Sequence, residues 1–187
     1  MTTVAVLDYG VGNLFSMSNA LKRAGLNVKV TGDPEEIGSA DAIVLPGVGN
    51  FGHASAKLQP YADSIRRALE ADIPMMGSCL GMQLLFEGSE ESPEEGLGLL
   101  EGWVRRFQGE LKVPHMGWNT IKAARESPLL DGIPDGEYFY FVHSYYPVPA
   151  EGDVTLAVTE YGGDFTSIVE SGPLYGCQFH PEKSGRA

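Results

Sequence analysis

Short apolar runs alternate with amphipathic stretches through the first half of the chain. Val4 to Leu7 reads as a buried strand; Leu14, Met17 and Leu21, with Ala20 and Ala24, then line one face of a helix that stops at Gly25. Val28 to Thr31 and Ala42 to Leu45 read as further strands, and Ala54 to Leu69 keeps helical spacing with a break predicted at Pro60. Ile73 to Met76 is another apolar segment, and Met82 to Glu87 reads as helix-like. This alternation predicts a parallel sheet with helices on both faces. From Gly102 the pattern turns β-rich, over Trp103 to Phe107, Tyr138 to Tyr145, Val154 to Thr159, Phe165 to Val169 and Leu174 to Phe179. The expected fold is therefore α/β, with a central, mostly parallel mixed sheet flanked by helices. Glu90 to Gly98 and Ser127 to Gly136 are turn-rich connections too short to link domains, so residues 1–187 are expected to form one domain.

Composition narrows the function classes. The chain has 187 residues, 43% of them hydrophobic, which suffices for one sizeable core. Its net charge of −12 argues against an exposed nucleic-acid or anionic-membrane surface. No apolar run approaches the ~20 residues that span a bilayer, and Met1 to Leu7 lacks the basic region of a signal peptide. A cytoplasmic protein is expected. The two cysteines make no disulfide framework and have no metal-ligand spacing, so neither metal nor cofactor is expected.

The candidate chemistry lies in two separated motifs. In Gly77-Ser78-Cys79-Leu80-Gly81, glycines two residues either side of a cysteine suit a strand-turn-helix elbow that lifts a nucleophile clear of a sheet. A sulfur placed there would face free backbone N–H groups at a helix N-terminus, which favour thiolate. In Gln178-Phe179-His180-Pro181-Glu182 an imidazole and a carboxylate lie two residues apart, on one face if the chain is extended. Cys79, His180 and Glu182 are thus candidate nucleophile, base and orienting carboxylate. Cys177 is expected to face away from the imidazole as a small buried hydrophobe. Gly10-Val11-Gly12 lacks the third glycine of a dinucleotide fingerprint, because Phe15 stands in its place, and reads as a tight turn before a helix capped by Asn13. Pro46-Gly47-Val48-Gly49 follows a strand, where open α/β sheets place ligand loops. Opposite Cys79, the amides of Gly47, Val48 and Gly49 would join the Leu80 N–H in holding an oxyanion.

Gly-Ser-Cys-Leu-Gly-Met-Gln at 77–83 together with Phe-His-Pro-Glu-Lys-Ser at 179–184 resembles the class I, triad-type glutamine amidotransferases. Pro46 to Gly49, Pro114-His115-Met116-Gly117-Trp118-Asn119 and Phe141-Val142-His143-Ser144-Tyr145 resemble, more narrowly, the glutaminase subunits of imidazole glycerol phosphate synthases. The resemblance implies a flavodoxin-like amidotransferase fold and hydrolysis of L-glutamine through a Cys79 thioester. His180 would serve as base and acid, and Glu182 would orient it. Gln83 and Glu91 would line the glutamine pocket, and the backbone of Ser144 and Tyr145 would hold the amino-acid end. By composition alone Gln83 reads as an exposed helix residue and Glu91 as part of a solvated acidic run. Met116, Gly117, Trp118 and Asn119 would be subunit-interface surface, although a buried Trp in a turn would suit the composition as well. His53, His115 and His143 read as structural or surface histidines.

The resemblance also implies a partner. Ammonia is mostly protonated in neutral water, so it needs a sealed path to an acceptor on another polypeptide, here a (βα)8-barrel cyclase subunit. Glutaminase turnover would depend on the occupancy of that distant site, with Val48 and its neighbouring peptide groups as the switch. Two departures stand out. Ser78 replaces the usual aliphatic residue before the cysteine, and the chain stops five residues after Glu182, where relatives continue into a C-terminal helix. Either that helix is truncated or the fold is expected to close differently. The rival readings are an amidotransferase serving another synthase, a cysteine hydrolase or peptidase of similar fold, and a catalytically silent binding module. Complementation of a histidine auxotroph, peptide against glutamine substrates, and partner binding without turnover separate them.

Overall fold

The computed structural model describes residues 1–185. The apolar runs become the centre of an eight-stranded sheet in the order Asn27–Thr31, Thr3–Leu7, Ala42–Leu45, Met75–Ser78, Leu174–Cys177, Asp164–Ser171, Thr155–Glu160, Lys122–Ala123. The first five strands run parallel and the last three antiparallel, so the sheet is mixed as expected. Two smaller sheets adjoin it: Tyr138–His143 with His115–Thr120, and Tyr145–Pro149, Leu100–Arg106, Phe86–Ser89 and Ser92–Glu95 in that order. Parallel strands buried on both faces explain why Val4 to Leu7 and Ile43 to Leu45 are continuous apolar runs.

The helices follow their capping signals. Asn13 accepts a hydrogen bond from the Ser16 N–H at the start of Leu14–Arg23, as the tight-turn reading of Gly10 to Gly12 requires. The long helical stretch begins at Phe51, capped by Asn50, and breaks into Phe51–Leu58 and Ala62–Glu70 around a 3-10 turn at Gln59–Tyr61, where Pro60 removes a donor. Phe51, Leu58 and Ile65 are fully buried beneath the sheet with Met82 and Phe86, and each such side chain contributes about 2–3 kcal/mol of burial.

Three expectations are corrected. Met82 to Glu87 is helical only as far as Gln83: the helix is one turn, Leu80–Gln83, and Phe86–Ser89 is a strand pairing with Leu100–Arg106. Backbone pairing with a distant segment overrode the local pattern there. Glu90 to Gly98 contains the strand Ser92–Glu95, paired back on Phe86–Ser89. Tyr138 to Tyr145 is not one strand but two, in different sheets, with the change of partner at Ser144. The expected loss of a C-terminal helix concerns chain beyond Gly185 and lies outside the described residues.

Candidate active site

The Pro46 loop, the cysteine elbow and the His180 segment each leave the main sheet at the carboxyl end of a parallel strand, the side on which open α/β sheets bind ligands. Pro46 follows Ala42–Leu45, Cys79 follows Met75–Ser78, and His180 comes three residues after Leu174–Cys177. Met75–Ser78 and Leu174–Cys177 are neighbours, with Ser78 beside Cys177, and the Cys79 N–H donates to the Cys177 carbonyl at 2.8 Å. Strand pairing thus brings the two motifs together across a hundred residues.

Cys79 is held at φ 54°, ψ −110°, outside the regions open to ordinary L-residues. Close backbone packing imposes this. A Cβ at Gly77 would lie 2.6 Å from the Gly81 carbonyl oxygen, one at Gly81 would collide with the Leu45 carbonyl, and one at Gly47 would lie 2.5 Å from the Gly81 nitrogen. The Pro46–Gly49 loop therefore rests directly on the elbow, and only glycines permit it. Tyr9 braces that loop from behind, its buried hydroxyl donating to the Pro46 carbonyl at 2.7 Å. Burial, with the neighbouring Cys79, pushes the phenol pKa up and keeps it a donor.

His180 and Glu182 are buried and joined at 2.9 Å, Nδ1 to Oε1. The contact differs from the extended geometry expected: the chain leaves His180 through a 3-10 turn at Pro181–Lys183, and the carboxylate meets the ring at Nδ1. Burial alone would lower the His180 pKa, but interactions with Cys79 and Glu182 outweigh it and raise it to about 9. Among the described residues, the sulfur's hydrogen bonds of ordinary geometry are with the Val142 carbonyl at 3.9 Å and the Gln178 side-chain amide at 3.7 Å. Interaction with Cys79 is also among the causes that raise the imidazole pKa, so the thiol and the ring are close enough to couple.

A cleft of about 330 Å³ opens over these groups, and Val48, Gly49, Cys79, Leu80, Gln83, Glu91, Ser144, Tyr145 and His180 all line it. Gly47 is buried against the elbow rather than lining the cleft. Gln83 is not exposed: its amide is buried and donates to the Tyr145 carbonyl at 2.9 Å and to Gln178 Oε1 at 3.1 Å. Glu91 is no free surface charge, since its Oε2 accepts the Phe51 N–H at 2.7 Å, whereas Glu90 pairs with Arg105 at the surface. Ser78 is buried and lines a separate groove with Met17 and Glu182, so its hydroxyl is not in the cleft. Cys177 is a buried thiol whose pKa burial and nearby Glu182 push up, as expected of a small hydrophobe.

Met116 and Trp118 are 61% and 55% exposed on the strand His115–Thr120, which removes the buried-Trp reading. Asn119 differs from its neighbours, its side chain turning back to His115 and to the Glu160 carbonyl. His53 is exposed, whereas His115 and His143 are buried. Lys183 and Gln178 were missed as site residues; both sit inside the quoted Gln-Phe-His-Pro-Glu-Lys run, which is the signal that would have found them. Among the described residues there is no cluster of metal-ligating side chains, and no helix is long and apolar enough to cross a membrane.

Residues 5–187 match the family model "Glutamine amidotransferase class-I". The chain belongs to this family. Among curated relatives, "Imidazole glycerol phosphate synthase subunit HisH" of Moorella thermoacetica is 50% identical over all of this chain and 90% of that protein. The protein of the same name from Thermococcus kodakarensis is 52% identical, covering 98% of this chain and 93% of its own. A crystal structure of a glutamine amidotransferase superposes with a TM-score of 0.73 at 26% identity, covering 96% of this chain and 90% of its own. PurLQS from Thermotoga maritima, at 21% identity and a TM-score of 0.75 over 98% of this chain and 89% of its own, shares the fold. The class I amidotransferase fold and the narrower resemblance read from the sequence agree with these findings.

Proposed function

We propose that this chain, as one amidotransferase domain over residues 1–187, is the glutaminase subunit of an imidazole glycerol phosphate synthase in histidine biosynthesis. The observation that carries the reading is one cleft lined by a cysteine strained at an elbow and by His180, whose ring is paired from behind with the buried Glu182 side chain. Cys79 Sγ attacks the side-chain amide carbon of L-glutamine, passing its proton to His180. The tetrahedral oxyanion is held by the Leu80 N–H and by amides of the Gly47–Gly49 segment. His180 returns the proton to the departing nitrogen, ammonia leaves, and a thioester to Cys79 remains. Water, deprotonated by His180, attacks the thioester and releases glutamate and the thiol. Glu182 keeps the Nδ1 proton of His180 in place, so that Nε2 faces the chemistry. Glu91 meets the α-ammonium, while Gln83 and the Ser144–Tyr145 backbone hold the amino-acid end.

Ammonia then passes to a (βα)8-barrel cyclase subunit docked on the face that exposes Met116 and Trp118, with Gly117 and Asn119 beside them. Val48, 42% exposed at the lip of the cleft, and its neighbouring peptide groups rearrange when that partner is loaded. Glutamate release from glutamine tests the reading, using the chain alone and with the cyclase plus its phosphorylated ribulosyl substrate, against Cys79→Ala as blank. Strong stimulation by the loaded cyclase is expected. Cleavage of peptides in preference to glutamine would overturn it. Identical conformations of residues 46–49 in resting and thioester-trapped complexes would remove the Val48 switch.

A further inference from the structure

Two buried histidines beside the cleft lie outside the triad chemistry, yet their hydrogen bonds run in an unbroken line. His143 Nδ1 lies 2.8 Å from the Tyr145 carbonyl oxygen, His143 Nε2 lies 2.9 Å from His115 Nδ1, and His115 Nε2 lies 3.1 Å from Asn119 Nδ2. A carbonyl only accepts, so His143 Nδ1 must carry a proton. Burial holds both imidazoles neutral, with pKa values lowered to about 3 for His143 and about 4 for His115. A neutral ring has one N–H, so His143 Nε2 accepts from His115 Nδ1–H, and His115 Nε2 accepts from the Asn119 amide. The amide cannot flip without loss, because its nitrogen also donates to the Glu160 carbonyl at 2.9 Å and its oxygen accepts the Thr120 N–H at 2.8 Å.

We propose that Asn119, His115 and His143 are positioning residues, forming a one-way hydrogen-bond chain that runs from the exposed strand His115–Thr120 to the Tyr145 carbonyl and fixes the glutamine-holding loop. The proposal rests on the reading of the cleft as a glutamine site. The carbonyl sits at the point where the chain changes sheets, and its second donor is Gln83, one turn beyond the nucleophile. Loop and elbow therefore share one acceptor, and the strand that presents Met116 and Trp118 bears on the cleft through the other end of the line.

Histidine-resolved 15N NMR of the full chain carrying Cys79→Ala, at pH 7, tests the order. Both His115 and His143 are expected as neutral Nδ1–H tautomers, and an Nε2–H tautomer or a charged ring at either would overturn the proposal. Calorimetric titration with L-glutamine is then repeated with His115→Phe, which keeps a ring among Phe107, Phe141 and Tyr161, and with Asn119→Ala, which leaves the core intact. Binding is expected to weaken by about tenfold in His115→Phe, the effect of about one hydrogen bond, and by less in Asn119→Ala. In the Cys79 enzyme KM should rise by the same factor, with kcat changed less than about twofold. Unaltered affinity in both variants would overturn the proposal. If the parent chain binds no glutamine at all, the glutamine reading fails instead, and the tautomers alone judge the chain of hydrogen bonds.

Discussion

At position 79, glycine should be more stable than alanine, the reverse of the usual order. Both substitutions remove the thiol and so remove catalysis, and they differ only in the Cβ. A side chain at φ 54°, ψ −110° is held at a cost of about 1–3 kcal/mol, and this position lies off even the left-handed island, which places the cost near the upper end. Against that, glycine gives up about 0.5–1 kcal/mol through the freedom of the unfolded chain and about 0.8 kcal/mol of carbon burial. The net preference for glycine is about 1 kcal/mol, or about 2–4 °C in Tm for a domain of this size. Calorimetric melting of Cys79→Gly and Cys79→Ala, measured side by side in one buffer, reads the difference. An alanine variant that melts higher than the glycine variant would show that the elbow is not strained and that the packing of Gly77, Gly81 and Gly47 does not force the turn.

Glu182→Gln should lower kcat by on the order of 10²-fold or more with little change in KM, because it removes the partner of the His180 Nδ1 proton; a rise in KM alone would assign Glu182 to binding. Gly47→Ala should lower kcat sharply while leaving the fold intact, since its Cβ would press on Leu80 and Gly81 and lift the loop from the elbow; unchanged turnover would exclude this loop from oxyanion binding. His115 and His143 have native pKa values of about 4 and about 3 against 6.5 in the unfolded chain. Their stabilising effect is therefore complete above 6.5 and is lost as pH falls towards 4 and 3, where the unfolded state takes up protons that the native state refuses. Urea unfolding at pH 5 should show about 2 kcal/mol less stability per histidine than at pH 7, with a smaller decrement in His115→Phe; equal decrements would mean that His115 is not held neutral. His180 carries the opposite sign, its raised pKa adding stability below 6.5 that is lost as pH rises through about 9.

What the sequence by itself determined is what local chemistry encodes. Glycines at 77 and 81 mark a cysteine elbow, a two-residue spacing joins His180 to Glu182, Asn13 starts a helix, and Pro60 interrupts one. Each is a property of a few adjacent residues, so hydrophobic period, capping and turn chemistry read it directly. Tertiary structure decided which segments meet. Met75–Ser78 and Leu174–Cys177 are adjacent only because the sheet places them so, and no periodicity records that pairing. The same long-range pairing made Phe86–Ser89 a strand where local spacing suggested helix, and divided Tyr138 to Tyr145 between two sheets at Ser144. It also gave the polar residues their environments: Gln83 reads as a surface amide and His115 and His143 as idle histidines until strands from elsewhere bury them. Burial then removes water as the competing partner, and the hydrogen bonds left to these groups, rather than their positions in the chain, define what they do.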